Sequence, residues 1–340
     1  MNQQLGKASI RLEEPVFIRN SASIVGKREG EGPFGTLFDM VSEDELFGCD
    51  TWEDAESNLQ KDAVYLALGK AKLKPEDIRY IFAGDLLGQS IATSFGISAY
   101  EIPLLGVYGA CSTCGESLSV GAMAISGGYA DNVICVTSSH FASAEKEFRF
   151  PLEYGNQRPL SATWTVTGSG AFILGKEPGE SSRARITGMT IGKIVDYGLK
   201  DSMNMGACMA PAAADTLERH FNDFGSKPEE YDRIITGDLG KVGQTVLIDL
   251  LRDRGYDISA LHMDCGIEIF NAETQDTHSG GSGCGCSAVT LSAYILKQME
   301  DHSWKKVLFM PTGALLSKTS FNEGQSIPGI AHAVVLEGIS

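Results

Sequence analysis

Two glycine- and cysteine-rich segments hold the residue types that could do chemistry. Residues 109–115 read GACSTCG and run into a stretch of small residues that predicts a helix. A cysteine at a strand-to-helix turn has two advantages. The helix N-terminus stabilises a thiolate, and its free N–H groups can hold a carboxylate. Cys111, Ser112 and Thr113 are therefore candidate ligand contacts; the alternative is a structural cysteine in a tight turn. Residues 278–287 read HSGGSGCGCS, with four glycines in ten residues, and also precede an expected helix. The backbone there, at Gly281, Ser282, Gly283 and Cys284, predicts an anion-binding concavity; the alternative is a turn that lets two helices approach. His140, in TSSHF, follows an expected strand and is assigned to the same centre. The C-x-x-C at Cys111/Cys114 and the C-x-C at Cys284/Cys286 are too far apart for a zinc knuckle, and the surrounding chain is unlike a redox dithiol unit. No metal or cofactor is expected.

The elements that must position these residues alternate along the chain. Strands are expected at 23–25, 78–83, 132–136, 170–174, 233–235, 307–310 and 331–336. Helices are expected at 58–72, 116–126, 209–221, with Pro211 early, 244–254 and 287–299. This alternation predicts parallel-rich sheets covered by helices. Residues 28–37 (REGEGPFGTL) read as a flap, and 179–185 as the best surface connection.

One comparison organises the chain. Residues 74–86 read KPEDIRYIFAGDL and residues 227–239 read KPEEYDRIITGDL, without a gap at an offset of 153. A Pro-Glu turn, a buried strand and a Gly-Asp-Leu loop recur in both. The expectation is a duplicated α/β unit with pseudo-twofold symmetry, divided into halves 1–176 and 177–340. Ligands in such folds gather where strand ends meet.

Composition removes several function classes. Lys and Arg number 28 against 44 Asp and Glu, a net charge of −16. So acidic a chain is a poor partner for nucleic acid or anionic lipid. The 39 glycines in 340 residues exceed the usual share of about 7% and speak for tight turns and close backbone approach. No run approaches a membrane span, and the first residues, MNQQLGKASIRLEEP, hold no apolar signal core. Eight cysteines in such a chain are expected to be free thiols.

The repeat, the cysteine before a helix and the strand GSGAFIL (168–174) resemble the thiolase and ketoacyl-synthase superfamily. GACST (109–113), TSSH (137–140), TVTGSGA (165–171), MAPAAADT (209–216), GGSGCGCSA (280–288) and TGALLS (312–317) are together similar to the stage V sporulation protein AD family. The resemblance covers essentially the whole chain. It implies a thiolase-like five-layer α-β-α-β-α fold from two duplicated halves. It also implies binding of dipicolinic acid (pyridine-2,6-dicarboxylate), free or as its calcium complex, within the machinery that moves it into developing spores. Implied partners are other membrane proteins of the same sporulation operon and a second copy of the chain. The implied location is peripheral, at the forespore or spore inner membrane.

The departures from the enzymes bear on mechanism. Cysteine condensing enzymes need a histidine, and an Asn or second His, to polarise a thioester and move protons. Gly237 stands where the first histidine belongs, and residues 280–286 hold no Asn. His278 and His332 are substitutes by proximity alone, since neither matches the motif. The expectation is a binder that kept the pocket and lost the reaction. The alternatives are an acyltransferase using Cys111 and a structural scaffold of a membrane-associated complex. Asp85 and Asp238, at the two Gly-Asp-Leu loops, are candidates to help hold calcium, or else loop caps.

Overall fold

The computed structural model describes residues 3–148 and 157–339. The repeated segment shows how each half is built. Lys74 and Lys227 each precede a single 3-10 turn, Pro75–Asp77 and Pro228–Glu230. In both, the acidic side chain three residues on accepts the lysine N–H at 2.9 Å. Proline at the first position presets the turn and forfeits no bonded N–H. A buried strand follows each turn.

Ten strands form two equivalent sets. The first is β1 (Ser9–Gly26), β2 (Tyr80–Gly84), β3 (Leu104–Gly106), β4 (Asn132–Ser139) and β5 (Gly168–Gly175), in the order β1-β5-β4-β2-β3. The second is β6 (Ala184–Thr190), β7 (Arg233–Thr236), β8 (His262–Asp264), β9 (Lys306–Met310) and β10 (Ala333–Gly338), in the order β6-β10-β9-β7-β8. Strand senses agree as well. β2 runs parallel to β3 and β4, as β7 does to β8 and β9; the remaining pairs are antiparallel in both sets. The repeated strands β2 and β7 thus hold the same place. The sets are not separate sheets, however. The N-terminal part of β1 pairs antiparallel with β6, Ser9 opposite Thr190 and Ile18 opposite Ala184, which joins all ten strands into one ladder.

Side-chain alternation sorts the core into layers. Val133 and Cys135 of β4, with Val307 and Phe309 of β9, face an inner core. It is filled by Leu118 and Ala122 of helix α1 (Thr113–Ser126) and Val289 of helix α2 (Cys284–Thr290). The intervening Ile134 and Val136 face outward onto Ala55, Leu59 and Ala63 of the helix Trp52–Ala71. Leu308 and Met310 likewise meet Leu217 of Met205–Phe224 and Leu247 of Gly240–Asp253. Strands buried on both faces read as continuous apolar runs, which is why they were visible in the sequence. The result is the five-layer α-β-α-β-α arrangement.

Four expectations change. The sheet expected to be parallel-rich is mixed, with five of the nine neighbouring pairs in the ladder antiparallel. The strand expected at 23–25 runs from Ser9 to Gly26. The helix expected at 209–221 starts at Met205, capped by Asn204, so Pro211 stands inside it rather than in its first turn. The helix expected at 287–299 is α2, a π turn at Leu291–Ile295 and a last turn at Leu296–Glu300.

Candidate functional site

The first loop is braced before it presents anything. Ala110 takes a left-handed conformation, φ +51°, to turn the chain into α1. Ser112 Oγ donates to Gly109 O at 2.6 Å and Thr113 Oγ1 to Ala110 O at 2.6 Å. The N–H groups of Ser112 and Thr113 bond the same two carbonyls. Ser112 and Thr113 therefore shape the turn, and Cys111 is the residue it presents.

The second loop meets the first. Gly281–Ser282 pairs in parallel with Trp164–Thr165. Gly283 has φ +107°, which excludes most side chains, and its N–H donates to Asp238 Oδ2 at 2.9 Å. Gly285 N–H donates to Ser139 Oγ at 3.2 Å. The expected concavity at residues 281–284 thus already spends the Gly283 N–H inside the protein, as the next glycine does its own. Cys284 turns its thiol to Ser138 O at 2.9 Å and packs with Leu86, Cys111 and Ala144.

Asp238 links the two loops. It bonds Gly283 N–H, accepts from Thr312 Oγ1 at 2.9 Å, and touches the Cys111 thiol. Burial pushes its carboxyl up to about 7. Burial, with the Asp238 carboxylate beside it, raises the Cys111 thiol well above its usual value. The thiol is therefore held protonated at neutral pH, the opposite of an activated nucleophile. Asp85, its counterpart in the repeat, accepts from Leu87 N, Thr93 N and Thr93 Oγ1 at 2.6–2.8 Å. Both aspartates are fully buried and anchor loops.

The histidines lie elsewhere. His140 lends Nδ1 to Ala142 N–H at 3.2 Å and gives Nε2 to Glu45 O at 2.8 Å, so both ring nitrogens are engaged. Burial lowers its pKa. His278 bonds Pro159 O and pairs with Asp276, and His332 accepts from Gly192 N–H. Neither lines the cavity at Cys111. A Cβ at Gly237 would meet Pro311 Cα at 3.0 Å, Thr312 N at 3.2 Å and Ser287 Cβ at 3.3 Å. All eight cysteines are free thiols.

Two cavities adjoin this centre. The inner one, at Cys111, is lined by Leu86, Ala144, Phe148, Ser282 and Leu316 among others; at about 20 Å³ it has room for a single water. The outer one measures about 530 Å³, and its lining includes Arg28, Glu29, His140, Phe141 and Trp164. Glu145 faces both, so the helix Phe141–Phe148 is their common wall. Sequence reasoning placed His140 with Cys111; it lines the outer cavity. It missed Arg28 and Trp164, which come from distant segments with no local signal.

The stage V sporulation protein AD family model matches residues 6–337. The chain belongs to the stage V sporulation protein AD family. It is 42% identical to the stage V sporulation protein AD of Bacillus subtilis (strain 168) over 332 residues, covering 98% of this chain and 97% of that one. Among solved structures, this family member is similar to 3-oxoacyl-[acyl-carrier-protein] synthase III of Aquifex aeolicus VF5, at 15% identity and a TM-score of 0.57, over 95% of this chain and 99% of that one. It is also similar to human mitochondrial 3-ketoacyl-CoA thiolase, at 13% identity and 0.58, over 97% and 100%. At these identities the likeness shows a thiolase-like fold. Among the described residues no helix is long and apolar enough to cross a membrane.

Proposed function

We propose that this member of the stage V sporulation protein AD family binds dipicolinate, alone or with calcium, and does not turn it over. It would act as the receptor of the machinery that moves the ligand into developing spores, held peripherally at the inner membrane by partners from the same operon. One observation carries the non-catalytic reading: Cys111 keeps its place before a helix, yet among the described residues its thiol faces the Asp238 carboxyl and no histidine. Asp238 is spent on Gly283 N–H and Thr312 Oγ1, and its carboxylate raises the thiol's pKa instead of activating it, which favours binding over turnover. Calorimetry of the purified protein with dipicolinate should show saturable binding, with benzoate far weaker. Incubation with acyl-CoA should leave the intact mass unchanged. An acyl adduct on Cys111 that is then released or transferred would overturn the non-catalytic reading.

A second copy is the other expected partner. β3 is an edge strand, and Leu104, Leu105 and nearby Tyr108 are exposed, at 39%, 51% and 46%. An apolar edge with unpaired backbone groups invites another strand. Light scattering should report a dimer, and Leu105→Lys should shift it to monomer; a wild-type monomer at high concentration would refute the pairing.

A further inference from the structure

The helix Phe141–Phe148, the common wall of the two cavities, is short and thinly held. Its buried residues are Ser143, Ala144 and Glu145. Ala144 packs on Leu86, Cys111 and Cys284. At the start of the helix, Phe141 N–H donates to Thr167 Oγ1 at 3.0 Å and the Phe141 ring stacks on Trp164. Two ties then reach the helix Trp52–Ala71. Lys146 Nζ meets Glu53 Oε1 at 2.7 Å, but this pair is open to solvent, and such pairs add little. The other tie is fully buried: Ser143 Oγ lies 2.6 Å from Glu56 Oε2.

A count of hydrogens shows what Glu56 is doing there. Gln60 Nε2 donates to Ser138 Oγ at 3.1 Å, and Ser138 Oγ donates to Glu56 Oε1 at 3.0 Å. Ser143 Oγ sits between Glu56 Oε2 and His140 O, the latter at 3.1 Å, and has one hydrogen for the two. A protonated Glu56 donates to Ser143 Oγ and leaves that hydrogen for His140 O. The chain from Gln60 to His140 is then complete, with every polar hydrogen placed. A charged Glu56 takes the Ser143 hydrogen for itself and stays behind as a buried anion, which is costly without a counter-charge.

The groups around it supply none. Burial raises the Glu56 pKa most; Asp85, on the loop after β2, and Glu53, one turn back on its own helix, add to the rise. Asp85 has three donors of its own, so the proton belongs to Glu56. Cys284 of α2 is a thiol pushed well up by burial, and burial lowers the pKa of His140, just past β4. On the docked helix, Glu145 faces the cavities, Glu147 approaches Gly88, and Lys146 is paired with Glu53.

We propose that a proton on Glu56 latches the helix Phe141–Phe148 onto the helix Trp52–Ala71, and that losing this proton releases the helix and joins the two cavities. The latch does not depend on which ligand the protein binds. Its sign follows from linkage. Docking buries Glu56 and holds its pKa at about 8; opening returns it to water and toward its ordinary 4.5. Rising pH therefore favours opening, by up to about tenfold for each unit between those values, and the effect levels off above the higher one.

Hydrogen exchange of the backbone amides of residues 144–148, corrected for the intrinsic rate at each pH, reads the opening directly. In the wild type, protection there should fall about tenfold per unit from pH 6 to 7.5 and flatten above pH 8.5. Glu56→Gln, which keeps the donor and cannot ionise, should hold its protection across the range. Ser143→Ala should lose at least threefold in protection already at pH 6. Lys146→Gln should keep the wild-type slope. Thermal melts confirm that each variant is folded; should Glu56→Gln fail to fold, the wild-type profile and Ser143→Ala decide. A flat wild-type profile, a Glu56→Gln slope as steep as the wild type, or a Ser143→Ala helix as protected as the wild type at pH 6 would overturn the latch. So would loss of the slope in Lys146→Gln, which would place the effect in the exposed pair. An equal fall in the amides of Gly240–Asp253 would make the change global unfolding and overturn it too.

Discussion

Between pH 6.5 and 8 the protein should lose stability steadily, and Glu56→Gln should remove about 2 kcal/mol of that loss. Glu56 is fully buried. Burial and the nearby Asp85 carboxylate push its pKa up to about 8, against a usual 4.5. Ser138 and Ser143 donate to it at 3.0 and 2.6 Å, which does not offset the burial. The folded state therefore holds a proton that the unfolded chain has released. Stability from such a group is complete below pH 4.5 and drains away as the pH rises through the folded value. Glu29 and Asp238, both pushed up to about 7, add to the lower part of the same window. Buried His220, His262 and His332 act in the other direction, with pKa values lowered to about 3, 4 and 4. Their contribution is lost on acidification and is complete only about a unit above the unfolded value of 6.5, so they temper the first part of the alkaline slope without reversing it. Melting temperatures measured across this range decide the matter. A wild-type curve that is flat or rising, or a Glu56→Gln curve parallel to it, would contradict the assignment.

Restoring the enzyme's histidine should fail for a reason visible in the packing. In Gly237→His the new Cβ would press on Pro311 Cα, Thr312 N and Ser287 Cβ, all within 3.3 Å. Two of these atoms are backbone and the third is a Cβ on a helix, so none swings away as a long side chain would. Such overpacking costs about 1–3 kcal/mol. Gly237→Ala should show most of that cost by itself, since the Cβ makes the contact. Neither variant should transfer an acyl group, because the Cys111 thiol remains beside Asp238. Thermal melts of both, with acyl-CoA turnover of the histidine form, test the two halves separately. A Gly237→His protein as stable as the wild type and able to turn over acyl-CoA would show that only the histidine was missing.

What could be read in advance follows from physical causes. β4 and β9 stood out because both faces are buried, and the repeated Lys-Pro-Glu segments stood out because each must open a turn and feed a strand. β3 was missed: three residues at an edge carry no periodicity. The first part of β1 was missed because RLEEP looks like a loop. The register shift between Arg11 and Val16 is what lets that charged stretch ride within a strand. Within the site, Cys111, Ser282 and Cys284 were legible because glycine-rich loops before helices announce themselves. The tie from Asp238 to Cys111 was not: the two residues stand more than a hundred positions apart, and no local pattern records such a meeting.

The seam between β1 and β6 bears on how this protein can change over generations. Two repeats within one chain can ordinarily change independently of each other. At the seam that freedom ends. A strand belonging to the first copy is the neighbour of the first strand of the second, so outside the register shift between Arg11 and Val16 a single inserted residue would slip the pairing and turn inward-facing side chains outward. Substitutions can accumulate on either side of this joint, but changes in length there would be selected against in both copies at once.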